Sequence, residues 1–514
     1  EDYSRFLPAL SSFYATFVGK QQRMQYVAED RLPAHFTHGV ESLNYLNENQ
    51  GLFNYKWSLY SAGHAELDVN KDSPKEAMIR ERDRDKTWVL GDSGGFQIGK
   101  GVWQGDWKDP NCPKAQKKRH DVLKWMDAYM DYGMILDIPA WVSRSPEGAK
   151  ATGVNNYTDA VNATRINNDY WMRNRNGNCK LLNVLQGENH ADADDWYSRM
   201  KDYCDPKYYP HDHFEGWSMG GQNMCDIHLA LRRIVELRYD GLLEKGLHDV
   251  MHFLGTSKLE WALMLTDIQR AVRKHHNKNY TITFDCASPF LATANGQIYI
   301  KTEMNDRGKW GYRMVPSIDN KKYAQDSRTF REVAEQDSVL VKGKGYYHEF
   351  EDSPVTAGLG ISDVCKYAPG DVNKNGKEGK TSWDSFSYAI QMGHNVWSHI
   401  NAVQRANRQY DEGLTPRLLV REKFDRVFFR DIVNEVFATD DRDKAIALIN
   451  EHSRYWTEIP GTRGAVGKKT INASTCFDKL FEEVDTDSTI QAEDEDFTED
   501  AHNKLEELEN ESQS

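Results

Sequence analysis

Trp88-Val89-Leu90-Gly91-Asp92-Ser93-Gly94-Gly95-Phe96-Gln97 joins a short apolar run to a polar, glycine-rich turn, and the same junction recurs along the chain. Between residues 56 and 285 there are seven such runs. The others are Lys56–Tyr60 before Ser61-Ala62-Gly63, Met134–Leu136 before Asp137, and Leu181–Leu185 before Gln186-Gly187. Trp217–Met219 precedes Gly220-Gly221, Met251–Leu254 precedes Gly255, and Tyr280–Phe284 precedes Asp285. The connecting segments carry helical periodicity, as in Ile227, Leu231 and Ile234 or Leu259, Ala262 and Leu263. Short apolar runs alternating with amphipathic helices at spacings of roughly 30 to 50 residues describe repeated βα units, and repeated βα units imply a parallel sheet. In such sheets the loops after the strands converge at the carboxyl ends, which is where the polar residues just named stand.

Outside this region the pattern changes. Thr293-Ala294-Asn295-Gly296-Gln297-Ile298-Tyr299-Ile300 reads as a hairpin, because Asn-Gly suits a tight turn and apolar residues alternate after it. Residues 383–410 read as a helix. The expected organisation is an N-terminal extension over 1–50, a core with insertions over 51–470, and an acidic tail over 471–514 that should be disordered or only transiently helical from about 485.

The 514-residue chain has a net charge of −14, and that charge is unevenly placed. Residues 477–514 hold fifteen carboxylates against Lys479 and Lys504, a local charge of −13, which leaves −1 for everything before them. The body is nearly neutral, with basic clusters at Arg80, Arg82, Arg84 and Lys86, at Lys114, Lys117, Lys118 and Arg119, and at Arg270, Arg273, Lys274 and Lys278. Any of these suits a phosphate partner or a solvated helix face equally well. There is no run of eighteen apolar residues, and Glu1–Lys20 lacks the charged start and apolar core of a signal peptide, so a cytoplasmic protein with no membrane partner is expected. The seven cysteines are scattered without a C-x-x-C pair and suggest no disulfide framework.

Asp92-Ser93-Gly94-Gly95-Phe96-Gln97 resembles the D-S-G-G-[FY]-Q motif of the queuine and archaeosine tRNA-guanine transglycosylase superfamily. Four further segments are similar to that family's in the same order: Leu136-Asp137-Ile138-Pro139, Gln186-Gly187, Met219-Gly220-Gly221, and Phe284-Asp285-Cys286 followed by Asn295-Gly296-Gln297. The resemblance implies a (β/α)8 TIM barrel with insertions, an N-terminal extension and a helical C-terminal part. It implies Asp285 as nucleophile and Asp92 as general acid/base, with Asp137, Gln186 and the backbone of Gly220 and Gly221 reading a guanine-like base. Ser93 falls in the base-binding set, and Phe96 and Leu254 would sandwich the ring. Gln222 replaces the leucine usual after Gly-Gly, which puts contacts to the base substituent in doubt.

These residue types suit the chemistry. Replacing a base at C1′ with retention takes two displacements, for which a carboxylate nucleophile forms a covalent glycosyl enzyme. A second carboxylate assists the leaving base and then takes a proton from the incoming one. A third accepts both N1–H and the 2-amino group of a guanine edge, whereas adenine presents an acceptor at N1.

Members of the family that bind zinc carry C-x-C-x-x-C and a later His. Here only Cys365 and His394 stand in the corresponding region, so no cofactor and no metal are expected and the structural zinc is read as lost. Asp371-Val372-Asn373-Lys374-Asn375-Gly376 matches half of a calcium loop, but Ser382 takes its twelfth position, which favours a plain turn. Gly379-Lys380-Thr381 imitates a P-loop ending, with Lys374 where its first glycine belongs, and is set aside. His64 is a candidate contact to sugar or phosphate beside its plainer reading as a satisfied core histidine. Cys286 reads as small apolar packing.

The absent zinc pattern, the lack of an evident added RNA-binding domain, the extended N-terminal region and a pocket whose Leu136-Asp137-Ile138-Pro139 resembles the archaeal members' L-D-I-P favour an enzyme of DNA, similar to those of phages and bacteria that install 7-deazaguanines such as preQ0 in genomes. The expected partners are therefore nucleic acid, with DNA favoured and tRNA the alternative, and the free 7-deazaguanine base. A non-catalytic partner subunit would be expected to lose site carboxylates. An unrelated barrel glycosidase would not account for Asp92–Gln97.

Overall fold

The computed structural model describes residues 2–19, 27–256, 258–337, 349–366, 382–421, 426–460 and 462. Its centre is an eight-stranded parallel sheet of β1 (Arg5–Pro8), β2 (Trp57–Ser61), β3 (Trp88–Asp92), β4 (Tyr132–Met134), β5 (Lys180–Leu185), β6 (Gly216–Met219), β7 (Val250–Phe253) and β8 (Thr281–Cys286). Neighbouring strands follow chain order from β2 to β8, and β8 then pairs in parallel with β1. A parallel bridge of Ala9 with Leu59 and a bond from Leu10 N–H to the Leu59 carbonyl (2.9 Å) bring β1 to β2, so the sheet is nearly closed on itself. With helices between the strands and a helical C-terminal part, this is an α/β barrel of the TIM kind.

The strands are buried on both faces, as parallel strands covered by helices must be, which explains why they read as continuous apolar runs rather than alternating ones. Several ring helices start on an Asx cap: Asn156 for Tyr157–Asn174, Asn189 for His190–Met200 and Asp226 for Ile227–Tyr239. The helix expected near 383–410 is Ser385–Asp411, capped by Asp384; it packs against β1 and the helix Leu259–His275. No helix among the described residues is long and apolar enough to cross a membrane.

Three readings change. The eighth strand lies in residues 5–8, inside the stretch taken for an N-terminal extension; at four residues it is too short to show a pattern, and only its partners identify it. Asn295-Gly296 is not a hairpin turn. It ends the helix Ser288–Ala294, with Gly296 at φ +73°, and leads into β9 (Gln297–Glu303), whose antiparallel partner β10 (Gly311–Pro316) follows a longer connection. Cys225 is disulfide-bonded, whereas Cys112, Cys179, Cys204, Cys286 and Cys365 are free thiols. The calcium-like segment Asp371–Gly376 and the acidic tail lie outside the described residues.

Candidate functional site

Asp92 ends β3, Asp285 lies one residue before the end of β8, and Asp137 follows β4 by three residues. All three carboxyls therefore stand at the carboxyl-terminal mouth of the barrel. They also feel one another. Burial, with the charge of Asp285 adding to it, raises the Asp92 carboxyl to about 6 against the lowering influence of the backbone N–H groups of Ser93 and Gly94 and of His252. Burial raises Asp137 to about 7, opposed by a hydrogen bond from Gln186 and reinforced by the charge of Asp92.

The turn after β3 is shaped by how closely it approaches β4. A Cβ on Gly95 would lie 2.6 Å from the Asp137 carbonyl oxygen, so glycine there is a steric requirement. Gln186, just after β5, donates from Nε2 to Asp137 Oδ2 at 2.7 Å. Gly220 lies against the same amide: a Cβ there would meet Gln186 Nε2 at 2.8 Å and Leu254 Cδ1 at 3.2 Å. The Gly220 N–H donates to the Leu185 carbonyl, and the Gly220 carbonyl accepts from Asn223. Of the two glycines expected to read a base through the backbone, Gly221 is thus the one whose N–H is not drawn into these contacts.

Phe96 is 52 % exposed, which is the state required of a ring that is to stack on a ligand. Leu254 is partly buried beside Gly220, Met224 and Cys225. Ser93 is 1 % exposed and its hydroxyl has no hydrogen-bond partner among the described residues, a costly arrangement unless a ligand completes it. Gln222 is buried and donates to Asp226 Oδ2 (2.5 Å), which also meets His190 Nε2 (2.9 Å), so it belongs to a polar cluster behind β6. His64 is half-buried on the turn Ala62–His64 after β2. Cys286, one residue past Asp285 and so on the opposite face of the strand, packs near His399 (Sγ to Nε2, 3.6 Å), and burial pushes its thiol up to about 12.

One residue of the candidate site escaped the sequence reading. His252 on β7 is fully buried, with Nε2 2.7 Å from Asp285 Oδ1 and Nδ1 2.7 Å from Thr283 Oγ1. The Gly255 N–H also donates to Oδ1, at 3.2 Å. Two contacts on one oxygen orient the carboxylate, and Oδ2 has no hydrogen-bond partner among the described residues. The available signal was a lone histidine in the apolar run Met251–Leu254, in register with Thr283.

The residues left from the zinc pattern do not fit a metal. His394 uses Nε2 on the Tyr299 carbonyl (2.7 Å) and Nδ1 on Ser353 Oγ (2.8 Å), while Cys365 donates to the Ile318 carbonyl (3.4 Å). A carbonyl only accepts, so Nε2 carries the hydrogen and Nδ1 takes one from the serine; burial lowers this imidazole to about 4. Among the described residues, no group of three or more His, Cys, Asp and Glu side chains is arranged to hold a metal ion. No protein-family model and no curated protein sequence matches the chain.

Proposed function

We propose that the protein is a guanine transglycosylase that exchanges guanine in DNA for a 7-deazaguanine base through a covalent aspartyl-glycosyl intermediate. The observation that carries this reading is the coupled set of three carboxyls at the barrel mouth, of which Asp285 is tethered by one oxygen while Asp92 has its proton affinity raised to about 6. Oδ2 of Asp285 attacks C1′, the C1′–N9 bond breaks, and its electron pair leaves with guanine as Asp92 gives a proton to N7. Asp92, now a carboxylate, takes the N9 proton of the incoming base. N9 attacks C1′ and Asp285 departs, which restores both groups. The contacts from His252 and Gly255 to Oδ1 favour the returning carboxylate charge, as donors aimed at developing charge do elsewhere.

Asp137 and Gln186 would read the guanine edge, with Ser93 and the Gly221 N–H as further donors and Phe96 and Leu254 against the ring faces. Burial raises the Asp137 carboxyl to about 7, and two N–H donors from a bound guanine would favour its carboxylate form. The test is incubation of the protein with labelled guanine and either duplex DNA or tRNA, counting label in each. Incorporation into DNA alone supports the reading. Incorporation into tRNA alone moves the assignment to the tRNA enzymes, and incorporation into neither overturns it.

A further inference from the structure

Four large apolar side chains among the described residues are exposed: Phe96, Val102, Tyr208 and Leu247. Tyr208 and Leu247 precede β6 and β7 and so belong to the opposite end of the barrel from the site. Phe96 and Val102 both follow β3, at the mouth, and Val102 is the most exposed of the four at 68 %.

Val102 is presented by a fastened loop. Its N–H and that of Trp103 both donate to the Gln97 carbonyl (3.0 and 3.2 Å), the Gly101 N–H donates to Ile98 (3.0 Å), and Gly101 turns the chain at φ +75°. The next side chain, Trp103, is buried against Gly94, and its carbonyl accepts from the Trp107 indole at 3.0 Å. Two tryptophans thus anchor the loop from below while the valine points outward. Two cations lie over rings of the same loop: Lys100 Nζ is 5.3 Å from the Phe96 ring centre and Lys118 Nζ 4.8 Å from that of Trp103. Neither lysine lies within ion-pair distance of a carboxylate among the described residues. An exposed apolar tip on a loop that also carries two lysines over aromatic rings matches a nucleic acid, which offers base faces flanked by phosphates.

We infer that Val102 is a wedge for duplex nucleic acid, entering the base stack in the space vacated when the target guanine is turned out toward Asp285. The inference rests on the transglycosylase reading. A carboxylate at a strand end cannot reach a stacked base, and extruding one costs about a few kcal/mol. A compact, β-branched side chain with no polar atom fills the gap with little loss of its own freedom. Lys100 and Lys118 would hold the flanking phosphates.

The test compares wild type with Val102→Ser and Val102→Leu on one sequence presented as duplex, as single strand and as duplex mismatched at the target. The single-strand rate of the wild type tests the transglycosylase reading by itself. With that rate present, serine is expected to lower the ratio of duplex to single-strand exchange about tenfold, with mismatch restoring most of the loss and leucine preserving the ratio. A 2-aminopurine placed 3′ to the target should brighten on binding the wild type and less on binding the serine variant, whether or not exchange occurs. An unchanged ratio with unchanged fluorescence overturns the wedge and leaves the enzyme reading intact. Sedimentation showing that Val102→Ser dissolves a dimer would instead assign the tip to self-association and overturn it too.

Discussion

Asp285 and its neighbours set the sharpest expectations at the scale of single residues. Asp285→Asn is expected to abolish exchange without loss of fold, and denaturing electrophoresis should lose the shifted band that wild type gives with DNA when incoming base is withheld. The same variant removes the charge that helps to raise Asp92, so the Asp92 carboxyl should titrate lower in the variant than in wild type by carbon-detected NMR. His252→Phe leaves Oδ1 with the Gly255 contact alone, and a loss in kcat on the order of a hundredfold with unchanged DNA affinity is expected, because misplacing a reacting group costs about that much. His252→Gln keeps a donor and should recover part of it. A loss confined to KM would remove His252 from a positioning role. Asp137 makes a prediction about stability. Its folded value, about 7, lies above the unfolded carboxylate value, so its stabilising contribution is full below the unfolded value and is lost as pH rises through about 7. Asp137→Asn should therefore melt above wild type at pH 8, by on the order of a few kcal/mol, with the gap closing by pH 4, and should lose activity at both. An equal shift at both pH values would show that the buried charge is not its cause.

Among the elements, β1 has the most consequence for its size. Its four residues pair with β8 along one edge, and Phe6 stacks on His399 at 4.4 Å while Leu7 is fully buried. Phe6→Ala is expected to cost about 3–5 kcal/mol, read as a lower urea midpoint at constant slope. Removing residues 2–10 would open the edges of β8 and β2 together, and cooperative unfolding should be lost, since typical domain stability is only about 5–15 kcal/mol. Were the truncated protein to unfold as wild type does, β1 would be an ornament on a seven-stranded sheet. The segment around Asn295-Gly296 teaches a related point. An Asn-Gly pair specifies a left-handed turn, and the turn is there at Gly296, but a helix rather than a strand enters it. Asn395 then receives the Tyr299 N–H on Oδ1 (3.0 Å) and donates to Thr293 Oγ1 (2.8 Å), tying both sides of that turn to the long helix.

Over the whole molecule, the proposed exchange should run in one direction. Guanine departs with a proton on N7, and a 7-deazaguanine has carbon there, so DNA loaded with labelled guanine should release it on chase while DNA loaded with labelled 7-deazaguanine holds its label. Equal release from both would mean that N7 takes no part and that Asp92 is not the acid. The direction rests on a site whose pieces were unequally legible in the sequence. Strand-end residues such as Asp92, Asp137, Gln186 and Asp285 could be placed because apolar runs and the polar turns after them are local patterns, written in a few consecutive residues and repeated from unit to unit. The sequence by itself therefore determined a repeated βα architecture and which carboxyls stand at strand ends. Only the tertiary structure decided that residues 5–8 complete the barrel, that His252 holds one oxygen of Asp285, and that Asp92 and Asp137 are raised to about 6 and 7. The physical reason is range: pairing of distant strand edges, contact across neighbouring strands and burial of a charge all arise when the sheet closes, and no local spacing encodes them.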